Sequence, residues 1–205
     1  MKRNLFRSDA FRCIAVLLLI TVFMCGLLAV LNDVLFVSSE ERLNRAVMKV
    51  YGKSVEAVQK EPDADRVEAE LGSIDEYYAF SDNGSDFELF KSTGANGYKN
   101  GTVTLWVLIR YKNGEAVAVD NVQLDSYEKQ TLMSSFGSDF FEKYTALTPD
   151  QLKAGTLFKT GNTKYDHAML DETDVRNVVT GATRSSNAIN NAVNIVLLYV
   201  WGDLT

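Results

Sequence analysis

Residues 13–31 read CIAVLLLITVFMCGLLAVL, nineteen positions without a charge. As a helix rising ~1.5 Å per residue they extend about 28 Å, close to the thickness of a bilayer's hydrocarbon layer. A cleaved signal peptide usually carries only ~7–15 apolar residues and ends in small residues. This run is longer and leaves through Ala29, Val30, Leu31 and Asn32, and the bulky Phe23 and Met24 before Cys25 argue against a lipoprotein site. The expectation is an uncleaved transmembrane helix. Over residues 38–60 the period changes: Leu43, Ala46, Val47 and Val50 recur at helical spacing after Ser38, Ser39, Glu40 and Glu41, with Gly52 as the stop. Residues 61–73 are charged and include Pro62, which reads as a connector with a short helix.

From Tyr77 onward aromatic and β-branched positions cluster. YYAF, FELFKS and TVTLWVLIRY are separated by Gly and Asn as strands are, and Asn113-Gly114 between TVTLWVLIRY and AVAVDNVQL predicts a tight hairpin. Trp106 and the other strand aromatics read as core. Residues 133–144 predict a short helix with Phe136, Phe140 and Phe141 on its apolar face. A loop over 171–186 precedes a closing helix that begins near Ser185 and carries Ile189, Ala192, Val193, Val196, Leu197 and Val200 on one stripe. Helices and strands mix without βαβ alternation, so the expected class is α+β. The division is residues 1–12 as a basic cytoplasmic N-terminus, 13–31 as the transmembrane helix, 32–73 as a membrane-proximal helical connector and 74–205 as one extracytoplasmic domain.

Charge sets the orientation. Lys2, Arg3, Arg7 and Arg12 against Asp9 give +3 before the apolar run, so with −6 over all 205 residues the remainder carries −9. Positive flanks stay inside, so the C-terminal domain faces outward. Its acidic balance argues against a nucleic-acid partner. The two cysteines, Cys13 and Cys25, both fall in the apolar run, which leaves the outer domain no disulfide, zinc-cysteine or iron–sulfur site. His167 is the sole histidine, so a Ser-His-Asp triad or a histidine metal site has almost no material.

The segment that carries chemistry is 177–186, NVVTGATRSS. Gly181 and Ala182 let another molecule approach the backbone, and hydroxyls gather just before a helix, whose N-terminus offers unpaired N–H groups and partial positive charge. Arg184 adds a cation. Two readings stand on these residues alone: a phosphate held near Thr183, or a hydroxyl-rich helix cap with no ligand.

TGATRSSNAINNAV resembles the flavinylation motif D-x-x-[ST]-G-A-T of the FMN-binding domain family, which includes the G subunit of Rnf complexes and the C subunit of sodium-pumping Nqr complexes. The basic flank and anchor, the membrane-proximal helix, the strand pair entered through Gly97-Tyr98 and the motif near the C-terminus follow in the same order. The resemblance implies FMN joined through a phosphoester to Thr183, with Asn177, Thr180, Gly181, Ala182, Arg184 and Ser185 around it. It also implies Thr131 and Leu132 as wall residues near the ring. Asn177 stands where the family usually has Asp, keeping an acceptor oxygen but losing the charge. The family's E-T-P-G-L-G segment is E-K-Q-T-L-M at 128–133.

The implied function is that of an electron-carrying subunit rather than a stand-alone enzyme. Its partners would be the integral-membrane subunits of an Rnf-type ferredoxin:NAD oxidoreductase, and a separate flavin transferase that uses FAD and a divalent metal. An Nqr-like subunit or another extracytoplasmic flavin carrier is the alternative within the class; an anchored sensor or assembly module without redox function is the alternative outside it.

Overall fold

The structure, a computed structural model, describes residues 9–35, 38–160 and 182–202. Two compact units are present, residues 1–42 and 43–205.

In the first, α1 runs Asp9–Leu35. Its stretch Phe11–Asn32 has a mean hydropathy of 3.0 and none of it is buried. A signal sequence has the same properties, so the structure establishes a helix long and apolar enough to cross a membrane, as expected. The second helix, α2 (Ser39–Tyr51), starts where the Ser38 hydroxyl accepts the Glu41 N–H at 3.1 Å. It ends at Gly52, whose φ of +82° and N–H bond to Met48 O close the last turn as the sequence predicts.

The larger unit is a five-stranded antiparallel meander in the order β1-β2-β3-β4-β5. The strands are β1 (Val58–Lys60), β2 (Gly72–Asp82), β3 (Ser85–Gly94), β4 (Val103–Lys112) and β5 (Glu115–Tyr127). Asn113 and Gly114 at φ +54° and +81° form the expected two-residue hairpin, and Asn83-Gly84 joins β2 to β3 in the same way. β4 lies between β3 and β5 and is buried from Val103 to Ile109, which explains its apolar run over 105–109. β1 lies beyond the Gly52 stop, inside the stretch 32–73 assigned to a helical connector; only three residues long and exposed, it is held by pairing with Tyr77, Tyr78 and Ala79.

Each sheet face has its own core. On one, Ala46, Val47 and Val50 of α2 pack on Tyr78, Phe80, Phe87, Leu89, Trp106 and Leu108. On the other, α3 (Ser138–Thr145), α4 (Pro149–Lys153) and α5 (Thr183–Trp201) cover Phe90, Leu105, Val107 and Ile109. The class is α+β, and Trp106 is a core residue whose indole N–H donates to Asp125 at 3.0 Å. The helix expected over 133–144 is two pieces, a 3-10 turn at Met133–Ser135 and α3, with Gly137 as the N-cap of the latter.

Helix α5 presses close on β3. A Cβ on Gly94 would stand 1.9 Å from Ala188 O, and Ser92 donates its hydroxyl to Ala192 O at 2.7 Å.

Candidate functional site

α5 begins at Thr183, two residues earlier than expected, and its first intrahelical bond runs from Ser186 N–H to Ala182 O. The N-cap is Ala182, with no side-chain hydrogen bond to the helix. The hydroxyls near this end therefore do not act as the cap. Ser185 is 3% exposed and donates to Gln130 Oε1 at 2.7 Å; Ser186 is wholly buried and donates to Ala182 O at 3.2 Å. Thr183 and Arg184 are exposed. Of the three hydroxyl-bearing residues in this first turn, only Thr183 is exposed. A helix N-terminus without a side-chain cap keeps N–H donors and partial positive charge available to an anion.

Gln130 links this turn to two others. Its Oε1 also accepts the Tyr98 N–H at 3.1 Å, and its Nε2 donates to Glu128 O at 2.9 Å. Gly97 and Gly101 leave it room: a Cβ on either would come within 2.6 Å of Gln130 Nε2. The 3-10 turn Tyr98–Asn100 is closed by Gly97 N–H to Gly101 O, and Glu128 N–H to Thr102 O fastens the end of β5 beside it.

Through Gln130 the structure brings the 128–132 turn to the first turn of α5. Thr131 and Leu132 are thus near the helix start, both on the surface, with Leu132 40% and Tyr98 38% exposed. Exposed Tyr127 ends β5 at the same end of the sheet. Asn177, Thr180 and Gly181, together with His167, lie outside the described residues. Gln130 was not singled out from the sequence, although two glycines bracketing Tyr98 mark a turn too tight for side chains.

Farther along α5 the helix buries three amides. Asn194 accepts Phe158 N–H and donates to Phe158 O, at 2.8 and 2.7 Å, Asn191 donates to Ala95 O, and Asn190 donates to Lys159 O. Asn190 Oδ1 accepts from the Tyr144 hydroxyl at 2.7 Å and from Lys143 Nζ at 3.1 Å. Burial lowers the Lys143 ammonium to about 7. Among the described residues no group of His, Cys, Asp and Glu could hold a metal ion.

Compared with known proteins, the chain matches no family model, no characterised protein and no solved structure.

Proposed function

We propose that this chain is a membrane-anchored flavoprotein subunit carrying FMN as a phosphoester on Thr183, and that it relays electrons in an Rnf-type ion-translocating complex. The observation that carries the reading is the first turn of α5, where Thr183 is exposed beside an N-cap, Ala182, that makes no side-chain hydrogen bond among the described residues. The residues present suit the group. Thr183 would hold the phosphoryl, helix N–H groups and Arg184 its charge, and Leu132, Thr131 and Tyr98 offer surface of the kind an isoalloxazine ring covers.

Attachment would be a group transfer without redox change, catalysed by a separate transferase with FAD as donor. Thr183 Oγ bonds to the phosphorus bearing the riboflavin, the pyrophosphate P–O bond breaks, AMP leaves and the hydroxyl proton is released. When bound, FMN supplies one- and two-electron chemistry, and the protein's part is to hold and orient it. Outside the cytoplasm a dissociated flavin is lost by dilution, which a covalent bond prevents. A membrane anchor raises the effective concentration of the flavin toward membrane partners.

Replacing Thr183 tests the reading. The Thr183→Val protein, co-expressed with a flavin transferase, is expected to fold and reach the membrane but to show no flavin fluorescence after denaturing electrophoresis, whereas the parent protein does. Undiminished denaturation-resistant flavin in the variant would overturn the assignment of Thr183.

A further inference from the structure

We infer that Gln130 is the positioning residue that presents Thr183 for modification and withholds Ser185, an inference that rests on the flavin reading of the same turn. Four described contacts converge on one buried amide. Gln130 Oε1 accepts the Ser185 hydroxyl at 2.7 Å and the Tyr98 N–H at 3.1 Å, while Nε2 donates to Glu128 O at 2.9 Å and faces Tyr98 O at 3.5 Å. Gln130 is 7% exposed, so these bonds form away from competing water. The backbone is shaped around it, since side chains on Gly97 or Gly101 would collide with the amide.

The consequence for the helix is geometric. Successive residues of an α-helix are about 100° apart around its axis, so fixing Ser185 inward turns the residue two positions earlier well away from it. Ser185 and Thr183 carry the same nucleophilic group in the same turn. The Gln130 bond engages one of them inside the protein and leaves the other on the surface. Lys129 at φ +58° holds the chain in the conformation that points Gln130 inward while Thr131 and Leu132 face out. Gln130 need not touch flavin to act; it acts through the first turn of α5.

The test uses the full-length protein in detergent as substrate for a flavin transferase, with FAD and Mg²⁺, and follows the rate of covalent labelling and the labelled peptide. Gln130→Ala and Ser185→Ala are expected to lower the kcat of labelling at Thr183 about tenfold with KM little changed, because a misoriented acceptor slows the chemical step after binding. Gln130→Glu keeps an acceptor oxygen for Ser185 and Tyr98 N–H but sets a carboxylate oxygen against Glu128 O, so it is expected to recover only part of the rate. Ser185→Ala removes only a hydroxyl and guards against a Gln130→Ala protein that fails to fold. Wild-type protein labelled at Thr183 with Ser185→Ala and the folded Gln130 variants labelled at the same kcat would overturn the inference and leave the flavin reading intact. Wild-type protein that takes no label under conditions where an authentic acceptor is modified would overturn the flavin reading, and the inference with it.

Discussion

Lys143 holds its ammonium 3.6 Å from the centre of the Phe140 ring, with the Tyr144 and Phe158 rings at 4.7 and 5.6 Å. Burial lowers its pKa from 10.5 to about 7, so between those values the folded protein releases a proton that the unfolded chain keeps. The state that binds more protons is then the unfolded one, and stability rises with pH across the window. Burial also raises the Tyr144 phenol, so stability falls once the unfolded phenol ionises, near pH 10. The melting temperature of the wild type, relative to Lys143→Met, is therefore expected to climb from about pH 7 to about pH 9; a constant difference over that range would contradict the burial of this amine. Neither the amine nor its asparagine partner was legible from sequence. Asn190, Asn191 and Asn194 break what looks like the polar side of an amphipathic helix, yet all three are buried because backbone from Ala95 and from Phe158 and Lys159 turns in to bond them. Period alone places a polar residue outside; only the path of distant chain segments can supply it with partners inside.

At the scale of elements, β3 and α5 make a close backbone contact. Gly94→Ala would place a methyl 1.9 Å from Ala188 O and 2.5 Å from Ala192 N, so the helix must shift. Loss of about 1–3 kcal/mol or more is expected, read as a lowered urea midpoint with unchanged slope. An unchanged midpoint would contradict the packing of α5. Elements with strong local signals were legible. The stop of α2 at Gly52 and the Asn113-Gly114 hairpin have backbones that demand positive φ, and β4 declares its double burial by its apolar run. Elements made by pairing or by short caps were not. β1 has no period of its own, and α4 is a five-residue turn announced only by Thr148-Pro149 and a Gln151 that completes a capping box. The hydroxyl cluster points to a start of α5 near Ser185, two residues late, because Ser185 and Ser186 bond inside the protein rather than cap the helix.

For the molecule as a whole, a helix fit to cross a membrane is joined to a domain that brings exposed Thr183, the N-terminus of α5 and the exposed side chains of Tyr98, Tyr127 and Leu132 to one end of its sheet. The candidate site was partly legible. Thr183 stood out through its neighbours in sequence, and the nearness of the 128–132 turn followed from resemblance, but Gln130, which joins them, has no signature in a single chain. The most direct measurement is the intact mass of the protein taken from its native membranes, followed by peptide mapping. The expected result is a chain that retains the apolar helix and is heavier by one FMN less one water, with the addition on the peptide containing Thr183. An unmodified mass from native membranes would contradict it and leave an anchored domain without redox function.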